Sequence, residues 1–413
     1  MFLTPEKASE ARERFGTPCY VYDRVTLEAA ARRALAFPNA FGFTLRYAMK
    51  ANPNREILRL FLSLGLHLDA SSEYEVERAT RAGFAPGQIQ LTSQFPVKGL
   101  QSIVERGVLY NACSLAQLDN FGKLFPGREV SIRVNPGLGS GSTNRTNVGG
   151  PGSSFGIWHE HLEEATALAA RHGVRLTRMH THIGSGTDPV VWKRVARMSL
   201  GIAARLPEVR VMNLGGGFKI ARMPEEKETD LQDVGEHVRQ EFIEFRARTG
   251  RALHLEIEPG TALVANGGCV VATCIDVVDT GKDGYLFAKL DTGMNEVTRP
   301  SLYGAQHPID VLATDAREPA KAVFVGPCCE SGDILTPAPG DPEGLAPRTV
   351  PRPRIGDLVV VGGAGAYCAA MSTINYNSYP QAPEVLQEPD GVLRLVRKRQ
   401  TFEQVLQNES CEM

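Results

Sequence analysis

Short runs of apolar and β-branched residues recur along the chain, each closing on a polar or glycine-rich cluster. In order they are FTLRYAMKAN, LHLDASS, IQLTSQ, LYNACS, VSIRVNPG, RMHTHIGSG, VRVMNLGGG and LHLEIEPG. Helical periodicity lies between most of them, as over Arg55 to Leu64, Glu73 to Ala82, Leu162 to Arg171 and Val234 to Arg248. Alternating strand and helix signals predict a parallel sheet, since parallel neighbours need a crossover that a helix supplies. Eight such units close into a TIM-like (β/α)8 barrel, expected over residues 26–264.

After about Ala265 the rhythm changes. CVVATCIDVVDT, GYLFAKLDTG, AVFVGP, DLVVVGGAGAY and VLRLVRKRQ read as strands with no long helix between them. They predict an all-β domain over 265–413, a β-barrel or β-sandwich. Within it, Thr336 to Arg354 is rich in proline and glycine and reads as a surface loop. TPCYVYD, near the start, reads as one more strand, so residues 1–25 are expected to pack on the distant β domain.

Composition narrows the setting. In 413 residues the hydrophobic share of 42% and charged share of 22% are those of an ordinary globular protein. The net charge of -2, from 45 basic and 47 acidic residues, offers no basic field for nucleic acid or an acidic membrane. MFLTPEKASEARERFG lacks the apolar core of a signal peptide, and no apolar run is long enough to span a bilayer. Eight cysteines without a C-x-x-C pair point to reduced thiols and a cytoplasmic location rather than a disulfide scaffold.

The chemically useful residues fall at the C-terminal ends of the strand runs: Lys50, Asp69, Arg133, Asn135, His182, Ser185, Gly215 to Gly217 and Glu258. A barrel gathers those ends on one face, where barrel enzymes hold their active sites. A lysine at the end of a buried strand must be paired, solvated or covalently used, and lysines so placed form Schiff bases. Alone, Lys50 is more often a plain surface lysine. Gly215-Gly216-Gly217 follows an apolar strand, where backbone N–H groups can cradle a phosphate; a lone triplet is more often a turn. Glu258, in Glu258-Pro259-Gly260, can keep a pyridine nitrogen protonated; alone it is equally a salt-bridged glutamate. His180 and His182 lack a third ligand of convincing spacing, so no metal site is expected.

The ordered set YAMKAN, HTHIGSG, NLGGGF, EPG, GPCCESGD and GAGAY resembles the fold-type III pyridoxal-phosphate decarboxylases of the ornithine and diaminopimelate decarboxylase superfamily, over nearly the whole chain. DTGMNEVTRPSLYGAQHPI, MSTINYNSYPQAPEVL and RKRQTFEQVL are similar to the branch that acts on meso-diaminopimelate, and NPGLGSGSTNRTNVGGPGSSFGIW resembles a loop of one bacterial subgroup. The resemblance implies pyridoxal 5'-phosphate carried by Lys50, with His182 stacked on its ring and Glu258 at its pyridine nitrogen. It places Ser185, Gly215, Gly216, Gly217, Gly260 and Tyr367 around the cofactor, and Arg299, Tyr303, Glu330 and Tyr367 at the substrate. It also implies a homodimer in which Cys329, the catalytic acid, and Glu330 enter from the partner subunit. The neighbouring Cys328 reads as structural.

Two departures stand out. Where the family usually has arginine after Glu-Pro-Gly this chain has Thr261, and Lys219 follows GGGF. Loss of that arginine leaves room for a monocarboxylic diamino acid such as D-lysine or D-ornithine as substrate. An amino-acid racemase can share barrel, lysine and cofactor, but needs a second base, typically tyrosine, in place of the cysteine-acid motif. A non-catalytic regulator should have lost Lys50 or Cys329, and both are present.

Overall fold

The structure, a computed structural model, describes residues 2–141, 144–186 and 188–409. Residues 142 and 143 of the glycine-rich loop and Cys411 lie outside the described residues. The chain divides into two compact units, one of residues 30–220 and 227–263, the other of 1–29, 221–226 and 264–413.

The first strand, β1 (Cys19–Asp23), belongs to the second unit. The first unit holds β2 (Phe43–Ala48), β3 (His67–Ala70), β4 (Ile89–Leu91), β5 (Leu109–Ala112) and β6 (Glu129–Asn135). Beyond the two-residue β7 (Ile157–Trp158) it continues with β8 (Arg175–His180), β9 (Val211–Asn213) and β10 (His254–Ile257). Neighbours run in the order β5-β4-β3-β2-β10-β9-β8-β6, all parallel, and β5 pairs β6 through Asn111 opposite Ser131 to close the ring. β7 lies on the flank of β6. The helices begin where the strand-end loops supply caps: Asn54, Ser72 and Ser114 each accept a backbone N–H of the first turn of the helix that follows. The helical stretches read from the sequence are Arg55–Ser63, Glu73–Ala82, Leu162–Arg171 and Leu231–Thr249.

The barrel interior is not purely apolar. Glu256 accepts from Arg46 Nε and Nη2 at 3.0 and 2.9 Å and from Arg178, with Asn213 beside them. Burial raises the Glu256 carboxyl, but the charges and hydrogen bonds of Arg46 and Arg178 outweigh it and hold the group at about 2. This ion cluster fills the barrel where a branched aliphatic layer would otherwise sit.

The second unit is built on a nine-stranded sheet in the order Arg348–Pro351, Pro319–Val325, Leu286–Leu290, Gly268–Asp279, β1, Glu384–Gln387, Leu393–Arg397. Leu358–Val361 also pairs Gly268–Asp279 and carries Ile309–Leu312 on its far side. β1 lies antiparallel to Gly268–Asp279 and parallel to Glu384–Gln387. Ala8 and Ala11 of the helix Pro5–Phe15 pack with Cys19, Val21, Cys269, Val271, Val360 and Val385 as one core cluster. The cysteines there act as small apolar groups, and burial pushes the Cys19 thiol up to about 12.

Thr336 to Arg354, read as a loop, is ordered β structure. Pro337–Ala338 and Asp341–Leu345 form a small hairpin, and Arg348–Pro351 pairs antiparallel with Pro319–Val325 at the edge of the main sheet. An edge strand tolerates the proline content that misled the reading, because its outer N–H groups need no partner. Thr336 is buried, its hydroxyl accepting the Phe324 N–H at 3.0 Å.

Candidate active site

Strand β2 ends at Ala48, and Lys50 sits in the one-turn helix Met49–Ala51. It is exposed rather than buried, one turn beyond the strand end on which the sequence placed it. The turn is pinned by Asn52 N–H to Met49 O, and by Ala48 N–H to Pro259 O of the Glu-Pro-Gly segment. Gly260 opens the next short turn, its carbonyl accepting from Leu263 N–H. No hydrogen bond holds the Lys50 ammonium among the described residues. It lines a cavity of about 310 Å³ together with Asp69, Arg133, His180, His182 and Glu258.

Glu258 is fully inside and accepts three side-chain donors: Asn213 Nδ2 at 2.6 Å, Gln90 Nε2 at 2.8 Å and His180 Nε2 at 3.0 Å. Burial alone would raise its pKa, but the charge and hydrogen bond of His180 and the bond from Asn213 bring it below the ordinary value. Asp69 shares Gln90, whose Nε2 lies 3.4 Å from its Oδ1, and accepts Thr92 Oγ1 at 2.6 Å. Burial first, then the charge of Glu258, push Asp69 well above the carboxylate range. The two neighbouring carboxyls are thus shifted in opposite directions, Asp69 up and Glu258 down.

His182 lies in the loop after β8, not on the strand. Its Nδ1 accepts the Gly216 N–H at 3.2 Å, which fixes a neutral ring with hydrogen on Nε2. Burial, then the charges of Arg133 and Lys50, lower its pKa well below the usual value. The glycine run is also held by protein. Gly215 N–H donates to Asn213 Oδ1 at 2.8 Å, and the Gly216 carbonyl accepts Trp192 Nε1 at 2.9 Å. A side chain on Gly216 would collide with the Glu258 carbonyl, so glycine here lets two strand ends meet. Of the three N–H groups expected to cradle a phosphate, two are spent on protein acceptors, and Gly217 alone is without one among the described residues. Ser185 lies in the loop after β8 that carries His182, its N–H on Thr146 O. Nothing explains the Lys219 side chain; its backbone pairs with Thr229.

The other residues singled out from the sequence belong to the second unit. Arg299 opens the short helix Arg299–Tyr303 and donates from Nη1 to His307 Nε2 at 2.9 Å. No carboxylate pairs with it among the described residues; Glu296, four positions from Thr292, takes the Thr292 hydroxyl instead. Tyr303 Oη lies 4.0 Å from Met371 Sδ. Tyr367 adopts φ 54°, a left-handed conformation rare for a tyrosine. In the GPCCESGD segment, Asp333 accepts the N–H groups of Cys328 and Met294, which folds the loop back on itself. Burial and Asp333 push the Cys328 thiol up to about 12, while Cys329 is exposed, its N–H on Asn377 Oδ1 at 2.9 Å. Glu330 is exposed and accepts the Gly332 N–H at 2.9 Å.

Gln90 and Asn213 go unremarked in the sequence, and His180 stands out there only as half of a histidine pair. All three are polar and sit at or within barrel strands, and a polar residue in a β-branched run was the signal. Arg133 was noted only for its position. It reaches the cavity with its guanidinium 5.2 Å from the Phe155 ring centre, and burial lowers its pKa. Among the described residues no group of three histidine, cysteine or acidic side chains could hold a metal, and no helix is long and apolar enough to cross a membrane.

A parallel barrel that brings a free lysine amine, an ionised buried carboxylate and a neutral imidazole to one cavity has the donor set for a pyridoxal cofactor. Buried atoms without a protein partner, His180 Nδ1 and Gln90 Oε1, leave polar capacity in the same interior. The model of the pyridoxal-dependent decarboxylases, pyridoxal binding domain, matches residues 27–265. The diaminopimelate decarboxylase of Streptomyces coelicolor is 40% identical, covering 98% of this chain and 92% of that one, and that of Escherichia coli K12 is 35% identical, covering 98% and 96%. A crystal structure of a diaminopimelate decarboxylase superposes with TM-score 0.91 at 33% identity, covering 99% of this chain and 97% of that one. The Helicobacter pylori enzyme complexed with L-lysine gives 0.84 at 25%, covering 97% and 98%. The chain belongs to the diaminopimelate decarboxylase family of pyridoxal-dependent carboxy-lyases.

Proposed function

We propose that the protein decarboxylates meso-2,6-diaminopimelate to L-lysine and carbon dioxide, the closing step of lysine biosynthesis, as a cytoplasmic homodimer using pyridoxal 5'-phosphate. The observation that carries this reading is the meeting of Lys50 and Glu258 on one cavity in a chain alike to its relatives from end to end. When bound, the cofactor supplies an electron sink for the charge left when carbon dioxide departs. Lys50 would hold it through its amine. Glu258, held ionised by His180, Asn213 and Gln90, keeps a proton at the ring nitrogen. His182, neutral and fixed by Gly216, would pack against its ring. Gly217 N–H and Ser185 serve the phosphate, with Gly215, Gly216 and Gly260 shaping the turns and Tyr367 completing the surround.

Arg299 and Tyr303 take the distal carboxylate of the substrate, with Tyr367 and Glu330 beside it. Cys329 of the partner subunit gives the proton to the α-carbon. The exposure of Cys329 and Glu330 in the single chain supports a role completed by a second copy.

The test is product analysis over a panel of meso-diaminopimelate, D-lysine, D-ornithine and L-ornithine. Lysine and carbon dioxide from meso-diaminopimelate at the highest kcat/KM is the expected result. A preference for a monocarboxylic substrate would move the reading to the alternative that Thr261 opens.

A further inference from the structure

In the second unit the guanidinium groups of Arg222 and Arg299 feel each other's charge, and among the described residues no carboxylate forms an ion pair with either. Arg222 donates from Nε to the Gly363 carbonyl at 3.0 Å. The preceding carbonyl, Gly362, accepts His307 Nδ1–H at 2.8 Å, which leaves the His307 Nε2 lone pair to accept Arg299 Nη1 at 2.9 Å. Successive carbonyls thus anchor Arg222 on one side and the Arg299–His307 pair on the other. Gly363, at φ 62°, lets the arginine lie across the backbone; a Cβ there would come within 2.9 Å of Arg222 Cδ.

The charge of Glu226 reaches both guanidiniums, but among the described residues it forms no ion pair with either. The Glu226 carboxylate is spent on the backbone N–H groups of Arg222 and Met223, at 2.7 and 3.2 Å. His307 is neutral, since burial and the two arginines drive its pKa well below the usual value. Arg222 Nη2 is buried without a hydrogen-bond partner. Burial, then the charge of Arg299, push the Arg222 guanidinium down to about 9. Two half-buried cations, one with a buried surplus donor, are costly unless an anion from outside the chain completes them.

We propose that Arg222 and Arg299 together bind the distal carboxylate of the substrate, so that Arg222 is a specificity-determining residue of this chain. The planar donor forks of two guanidiniums suit a carboxylate held on both oxygens. Arg222 also supplies a cation to a chain that carries Thr261 where the resemblance implies arginine. The assignment rests on the diaminopimelate reading.

The experiment compares wild-type, Arg222→Gln and Arg222→Lys holoenzymes in three measurements: steady-state kinetics with meso-diaminopimelate, cofactor titration by absorbance, and binding of L-lysine against pentane-1,5-diamine by thermal shift. L-lysine keeps the distal carboxylate and the diamine lacks it. For Arg222→Gln we expect KM to rise roughly 10- to 100-fold with a much smaller change in kcat. L-lysine binding should weaken in parallel, while the diamine and cofactor affinities hold. Arg222→Lys should fall between, since it keeps the charge and loses the fork. If Arg222→Gln does not fold, Arg222→Lys decides alone: weaker L-lysine with unchanged diamine supports the assignment, and wild-type binding of both overturns it. Loss of cofactor affinity in place of KM would mean that the anion is the cofactor phosphate, and equal weakening of L-lysine and diamine would mean a structural role; either overturns the proposal. A wild type inert toward meso-diaminopimelate sinks the substrate reading itself, whereas an active wild type with an indifferent Arg222→Gln sinks only the role of Arg222.

Discussion

At the scale of single residues, burial sets the charge states from which predictions follow. The Glu296 carboxyl is pushed up to about 7 from an ordinary 4.5 by burial, against the Thr292 hydrogen bond. Between those values the folded chain keeps a proton that the unfolded chain has released, so stability falls as pH rises through this window and the contribution is gone above about 7. Glu296→Gln should remove that slope, worth on the order of 3 kcal/mol across the window. Denaturant unfolding of both proteins between pH 4.5 and 7.5 checks it, and parallel curves would refute it. Arg299, which has a neutral imidazole rather than an acid as its partner, should show its value in catalysis. Arg299→Ala should lower kcat/KM for meso-diaminopimelate by roughly 10- to 150-fold, as expected for one lost charge-assisted bond. A loss of stability with unchanged substrate ranking would make it structural. Borohydride reduction of the holoprotein should fix the cofactor mass on the peptide with Lys50, and Lys50→Ala should abolish turnover; a label on another lysine refutes the assignment.

At the scale of elements, the strand ends meet too closely for change. In Gly216→Ala the new methyl would press on the carbonyl of Glu258, backbone against backbone, with little room to relax. The expected cost is roughly 1–3 kcal/mol with loss of cofactor binding, because the turn also holds His182 and Glu258. Gly201, inside the helix Pro189–Ala204 and with nothing within 4 Å of its missing Cβ, is the contrast: Gly201→Ala should gain roughly 0.5–1 kcal/mol with activity intact. Thermal melts of both variants measure the difference, and equal effects would show that close approach is not what constrains position 216. Lower in the barrel, Glu256→Gln would leave Arg46 buried beside a neutral partner. It should cost roughly 3–5 kcal/mol, since one half of a buried ion pair is worse than none.

At the scale of the whole molecule, the proposed homodimer can be tested by complementation. If Cys329 of the partner subunit completes each site, then mixing Lys50→Ala with Cys329→Ala protein under exchange conditions should restore activity. A mixed dimer has one site with both lesions and one with neither, so random exchange should recover about a quarter of the wild-type rate. No recovery after proven exchange would place both residues within one subunit's own site. Sedimentation of the wild type across concentration supplies the matching evidence for association.

The eight strand runs and the helices between them were readable from the sequence because their signals are local: apolar runs, capping polar residues and turn glycines repeat at fixed spacing. Lys50 and Glu258 carry the same kind of local mark, a strand end, and the fold brings both to one cavity. Local signals failed where the outcome depended on a distant neighbour. Thr336 to Arg354 carries the prolines and glycines of a loop, yet it became an edge strand and hairpin because Pro319–Val325 offered it a partner. The glycine triplet read as a phosphate cradle, but Asn213 and His182 had already claimed two of its N–H groups. Nothing in the sequence near Asp69 says that its pKa moves up while that of Glu258 moves down; burial and the Glu258 charge decide the first, and His180 and Asn213, brought from two other strands, decide the second. Arg222 carries no motif at all, and its burial beside Arg299 and His307 follows only from folding residues 221–226 into the second unit. The sequence by itself determined the elements and the chemistry they carry, because propensity and patterning act over a few residues. Only tertiary structure decided which groups are charged and which donors remain free, because desolvation and hydrogen-bond competition depend on neighbours far apart along the chain.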